Sequence, residues 1–99
     1  WLGVGPRPSA FSLSSPRPNP ATRLSRVTFG LPVEARVRLT VSDVMGRRVA
    51  SLVDGVIPAG QHEASWGGVG DSGPARSGLY YFTLEVPGQR IVKSFVLMR

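Results

Sequence analysis

What most limits the fold of this chain is a two-residue alternation of apolar and polar side chains, repeated in segment after segment. Val27, Phe29 and Leu31 fall on one side of an extended chain, with Arg26, Thr28 and Gly30 on the other. Val37, Leu39 and Val41 repeat the pattern against Arg36, Arg38, Thr40 and Ser42. Successive strand side chains point to opposite faces, so each run is a strand with one face reserved for a core and the other for water. Pro32 closes the first run, and Met45-Gly46 offers a turn after the second, glycine tolerating the positive φ that such turns need. Arg48–Val53 runs back as the next strand, and Asp54-Gly55 reads as a further turn.

Downstream, Pro58-Ala59-Gly60 opens a strand that puts His62, Ala64 and Trp66 on one face. A loop from Gly67 to Gly78 holds five glycines and Pro74. Leu79–Val86 alternates Tyr80, Phe82 and Leu84 with Leu79, Tyr81 and Thr83, and Pro87-Gly88 turns it into a last strand from Arg90 to Met98. Apolar residues lie on both faces of these two strands, the pattern of a central position in a sheet. No segment keeps a helical period over three turns. The expectation is an all-β, antiparallel sandwich of about seven short strands, with turns about every 8–12 residues.

The start of the chain is different in kind. Five of the nine prolines fall in the first twenty residues, and Gly3 and Gly5 loosen the backbone beside them. Proline fixes φ and removes an amide donor, so residues 1–20 read as an extended arm or linker and 21–99 as the sandwich. Within the arm, Ala10-Phe11-Ser12-Leu13-Ser14 alternates as a short edge strand does, and it suits either its own sheet or a neighbour's.

Ninety-nine residues suffice for one domain, and an apolar content of 41% is that of a folded chain. With no cysteine and His62 the sole histidine, disulfides, thiolate metal sites and sites needing two imidazoles are excluded. No apolar run approaches the roughly 18 residues that span a bilayer, so no transmembrane segment is expected. Trp1 is not an initiator residue, and the expectation is a processed chain or the end of a longer one. The net charge is +6, from eleven arginines and one lysine against six acids. Arg7, Arg17, Arg23 and Arg26 precede the first acid, Glu34, so the cationic excess is concentrated early. A basic arm admits an anionic surface polysaccharide as partner; scattered cations without a recognition helix argue against nucleic acid.

Four patterns suggest chemistry that their context argues against. Gly70-Asp71-Ser72-Gly73-Pro74 resembles the nucleophile segment of a serine protease, yet His62 is the only available base and tight loops favour the same residues. Gly68-Val69-Gly70-Asp71-Ser72-Gly73 fits a dinucleotide fingerprint, but that motif must open a helix, and here a proline and a strand follow. Trp66, Tyr80, Tyr81 and Phe82 offer a sugar-stacking platform only if they are exposed; large aromatics in strands belong first to the core. A single acid in the Asp71 loop is thin for a calcium ion. No enzyme, cofactor or metal is expected.

Asn19-Pro20, Phe29-Gly30-Leu31-Pro32, Val44-Met45-Gly46-Arg47-Arg48-Val49, Ala59-Gly60-Gln61-His62, Trp66-Gly67 and Ser77-Gly78-Leu79-Tyr80 follow one another in order. This succession resembles the C-terminal immunoglobulin-like sorting domains of bacterial type IX secretion and is similar to the Ig-like domain of the flagellar hook-capping protein. The resemblance runs from Pro16 to Arg99. It implies an Ig-like sandwich at the end of a larger exported protein, extracellular or on the outer cell surface and non-catalytic. Its terminal strand, with Lys93, Val96, Leu97 and Arg99, would be recognised by the secretion and surface-attachment machinery. Gly46 and Gly78 fall on the family's turn glycines. The alternative is a structural subunit of an extracellular filament, in which Trp1, Phe11 and Leu13 of the arm dock on a neighbouring copy.

Overall fold

A computed structural model describes residues 10–71 and 73–99. Among these residues nine strands follow in chain order: β1 (Ser12–Leu13), β2 (Ser25–Leu31), β3 (Ala35–Asp43), β4 (Arg48–Ile57), β5 (Gly60–Trp66), β6 (Val69–Gly70), β7 (Gly73–Pro74), β8 (Gly78–Val86) and β9 (Gln89–Leu97). Seven of them are those the alternation predicts. The other two, β6 and β7, make a two-residue hairpin inside the glycine-rich loop. One sheet has the order β1-β2-β5 and the other β4-β3-β8-β9, every ladder antiparallel. The molecule is an all-β sandwich.

The inner faces meet as the alternation requires. Val27, Phe29 and Leu31 of β2 pack against Val37, Leu39 and Val41 of β3, with Phe82 and Leu84 of β8 and Phe95 and Leu97 of β9, in one buried cluster. Aromatic rings fill one end of it. Phe82 stacks on Phe95 at 4.8 Å, Trp66 lies 5.2 Å from Tyr80 and meets Phe95 edge-on at 5.8 Å. Tilted and edge-on pairs at such separations gain about 0.5–1.5 kcal/mol each beyond the area they bury. Trp66 and Tyr80 also keep their polar ends bonded: the indole N–H donates to the Val69 carbonyl at 2.9 Å and the Tyr80 hydroxyl to the Arg76 carbonyl at 2.7 Å.

Four expectations change. β4 does not turn at Asp54-Gly55 but continues to Ile57, with Asp54 opposite Arg38 and Gly55 opposite Val37. The turn falls at Pro58-Ala59, and Gly60 supplies the positive φ of 130°. The Asp-Gly pair is tolerated within β4 because that strand lies at a sheet edge, where a glycine costs little packing. β9 is not central either: it is the other edge of the four-stranded sheet, and its outward Val92 and Val96 remain 45% and 37% exposed. Thr40, assigned to water, is buried in the middle of the outer face, beside Thr83 in the ladder. Gly78 is no turn glycine; it opens β8 opposite Leu97, without a positive φ.

Gly46 does have the predicted role. Its amide donates to the Asp43 carbonyl at 3.0 Å, its φ is 80°, and the Asp43 amide donates to the Arg47 carbonyl. That is the three-residue hairpin in which a type I turn is followed by a left-handed residue. Asp43 locks it, one carboxylate oxygen accepting from the amides of Met45 and Arg47 and the other from the Arg47 guanidinium. Desolvation pushes the Asp43 carboxyl up, but these two amide bonds and the adjacent guanidinium more than offset it and hold the group below its ordinary 3.8.

The arm is part of the sandwich. Ser12 pairs with Gly30 and Leu13 with Phe29, and the Ser14 amide donates to the Thr28 carbonyl at 2.8 Å. Leu13 is buried in its own chain, and Phe11 packs against the same core. The two arm side chains considered for a neighbour's groove are therefore docked in cis; Trp1 lies outside the described residues.

Candidate functional site

β9 and the segment after it carry the residues singled out for recognition, and the fold holds them in place from several directions. Leu97 is buried; Val96 faces outward beside Leu79, its partner across the ladder. Lys93 is half-buried on the inward register, opposite Phe82. Arg99 lies just past the strand. Its amide donates to the Ser77 hydroxyl at 2.8 Å and its guanidinium to the Gly68 carbonyl.

The outer edge of β9 would leave backbone groups open, and its last part is closed by the arm. After β1 the chain leaves the first sheet, and Asn19–Ala21 comes alongside β9. The Ala21 amide donates to the Val96 carbonyl at 2.8 Å and the Met98 amide to the Ala21 carbonyl at 2.7 Å, a parallel bridge. The Asn19 side-chain oxygen accepts from the Val96 amide at 2.9 Å. The Ser25 hydroxyl, fully buried, donates to the Pro18 carbonyl at 3.1 Å and ties this connection to β2. Asn19, Ala21, Ser77 and Gly68 form a clasp around the last four residues. In the sequence Asn19-Pro20 and Ser77 stand among the residues that carry the family resemblance, and nothing local to them assigns this task. The available signal was an asparagine fixed beside a proline, an acceptor side chain on a segment that lacks amide donors.

The other patterns resolve into packing. His62 packs tilted against Phe29, ring centres 5.3 Å apart, and its Nε2–H donates to the Pro58 carbonyl at 2.7 Å. It lies four residues from Trp66 along β5, roughly 13 Å at strand rise, from the end where Asp71 sits. Asp71 occupies the turn of the β6–β7 hairpin; its amide donates to the Val49 carbonyl at 2.8 Å. Gly70 is needed there, because a Cβ would come within 2.8 Å of that same carbonyl oxygen. Trp66, Tyr80 and Phe82 are buried, so an aromatic platform would rest on Tyr81 alone. Beside the hairpin is an open cleft of about 350 Å³, where Arg47, Arg48 and Arg76 face Asp43 and Asp71.

Two sheets packed face to face, with a first strand that begins on one and passes to the other, define an Ig-like β-sandwich. The chain belongs to the FlgD Ig-like domain family, whose match covers residues 20–89. The matched stretch runs through β2 to β8, and almost all of β9 lies beyond it. No curated protein matches the chain, and no solved structure matches it.

Proposed function

We propose that this domain is a non-catalytic module of a larger exported protein, and that its terminal strand is what the export and surface-attachment machinery recognises. The observation that carries the reading is the disposition of β9. It is an edge strand of the sandwich, its end clasped in one conformation, with Val96 facing outward and Lys93 half-buried on the inward side. Edge strands are natural recognition elements, since main-chain pairing gives affinity and alternate side chains give specificity. Among the described residues no helix is long and apolar enough to cross a membrane. The partner is the secretion machinery, and the module acts outside the cell or at its outer surface.

The test is a reporter fused upstream of the 99 residues in a bacterium that carries type IX secretion machinery. Val96→Ser with Arg99→Ala changes side chains outside the core, so the sandwich stays folded. The expected result is loss of surface reporter with cell-associated reporter retained. Undiminished surface display by a stable fusion would remove the terminal strand from the recognition event.

A second reading is favoured by the family match itself. The matched residues cover β2 to β8, the body of the sandwich, and a FlgD Ig-like domain implies a structural module associated with the flagellar hook. In that role the exposed face of the sheet makes the contacts and the last residues are dispensable. The same double variant separates the two, because the hook role survives it.

A further inference from the structure

The part of the β9 edge that the arm leaves unpaired has a defined length, polarity and charge. Backbone groups of a strand alternate, each residue pointing its N–H and C=O to one neighbour and the next residue to the other. Val96 points both away from β8, since its carbonyl accepts from Ala21 and its amide donates to Asn19. The register with β8 is unbroken from Leu97 opposite Gly78 to Gln89 opposite Val86. Ser94, Val92 and Arg90 therefore present their backbone groups outward as Val96 does. Among the described residues, no backbone hydrogen bond from outside the sheet reaches any of the three. These groups are unpaired and collinear with the segment that Asn19–Ala21 already occupies, while β1, in the other sheet, comes close to β9.

Side chains on either side of it discriminate between occupants. Outside, Val92 and Val96 with Leu79 form a partly exposed apolar border, the latter two paired across the ladder. Inside, Lys93 shares the register of Ile91 and Phe95, and it takes part in neither of the ion pairs formed among the described residues. It is the one lysine of the sequence. An inward-pointing charge on an edge strand works against pairing with a like edge. If two copies paired antiparallel through Arg90, Val92 and Ser94, their Lys93 side chains would lie diagonally across the two-fold axis, about 7–8 Å apart on one face. A strand with a carboxylate opposite Lys93 meets the opposite situation. In antiparallel addition that position is a non-hydrogen-bonded pair, where facing side chains approach most closely.

We propose that Arg90–Ser94 is the docking edge for an extended acidic segment of another protein. The segment adds as a fifth strand to the β4-β3-β8-β9 sheet, places an Asp or Glu against Lys93, and lays apolar residues beside Val92. This deepens the recognition role proposed above and rests on it for the biological setting, but the docking itself does not depend on it. The opposite edge of the sandwich serves as an internal comparison. Thr28 turns its backbone groups toward β1, so on β5 the outward positions are Gln61, Glu63 and Ser65. Between those positions stand His62 and Ala64, so that edge has no lysine at the register Lys93 holds on β9, and Glu63 faces outward on it.

The experiment is amide hydrogen exchange by NMR on the 99-residue chain with two synthetic nine-residue peptides, one alternating valine and glutamate and one alternating valine and lysine. The glutamate peptide is expected to slow exchange at Arg90, Val92 and Ser94 by at least about tenfold at saturation, and to leave Gln61, Glu63 and Ser65 unchanged. The lysine peptide is expected to give no protection at β9. In Lys93→Glu the preference reverses, with the core amides Phe82 and Leu84 reporting that the fold is kept. Equal protection by both peptides, protection confined to β5, or none at millimolar glutamate peptide would each overturn the proposal, and the two wild-type titrations decide this without the variant. Self-association through β9, detected as a dimer by light scattering, would overturn it too. The export assay separates this failure from that of the proposed function. If the Val96→Ser, Arg99→Ala variant loses surface display while no peptide docks, the docking edge is wrong and the recognition role stands. If display is unaffected while the glutamate peptide docks at β9, the reverse holds.

Discussion

Replacing Leu13 by alanine asks how far the N-terminal segment belongs to the domain. Leu13 is 6% exposed and pairs with Phe29. Two ladder positions, the Ser14–Thr28 bond and the Arg17–Arg26 bridge tie the arm to β2, and Leu13 adds a side chain buried in the core. The substitution removes three buried carbons, about 2.4 kcal/mol at roughly 0.8 kcal/mol per methylene. A residual cavity adds to this, and buried Leu→Ala changes span about 2–5 kcal/mol. The neighbours Ser12 and Ser14 are exposed, so the rim can close over the gap and the lower half of that range applies. A loss of about 2–3 kcal/mol is a large share of the 5–15 kcal/mol typical of a domain. Urea denaturation followed by tyrosine and tryptophan fluorescence should show the midpoint falling by about 1–2 M at the slopes usual for small domains. The slope itself should stay constant, and Ser12→Ala should shift nothing. A shift below about 0.3 M would refute the reasoning, because the Leu13 side chain would then contribute no more than an exposed one. A reduced slope would instead mean that the variant's arm has left the native sandwich.

The β3–β4 hairpin gives two more tests. Because the folded pKa of Asp43 is depressed, its contribution is present above the unfolded value near 3.8 and is lost as pH falls through the lower folded value. Stability of the wild-type chain should therefore decline as pH falls below 3.8, and Asp43→Asn should flatten that part of the profile in thermal melts at matched pH. Gly46→Ala meets no atom within 4 Å, so its cost is the left-handed backbone alone, about 1–2 kcal/mol by chemical denaturation. A value near zero would show that the hairpin had shifted to another turn.

The strands were legible because alternation is a local property. Val27, Phe29 and Leu31 announce the face they bury whatever lies next to them, and Gly46 announces its turn through an intrinsic backbone preference. What was not legible depends on neighbours. Asp54-Gly55 has the composition of a turn, but Arg38 and Val37 stand opposite and carry the ladder through it. Apolar residues on both faces of β9 suggested a central strand; Val92 and Val96 instead border an edge. Thr40 is shielded by the strands on either side of it, which no property of threonine predicts. The terminal strand as a candidate site came from resemblance. Its clasp did not, because Asn19 and Val96 are 77 residues apart and meet only when the first connection crosses between sheets.

That crossing has a mechanical consequence. Phe11 lies beside Pro87 and Gln89 at one end of the sandwich, whereas Arg99 reaches Gly68 and Ser77 at the other. Tension applied between residues 11 and 99 thus runs along the strands. It would slide β1 past β2 and Ala21 past Leu97, stretching their hydrogen bonds together instead of opening them one at a time. The short first strand and its clasp make this domain a shear joint, best placed to resist pulling along its own long axis and weakest against a force that peels one terminus sideways.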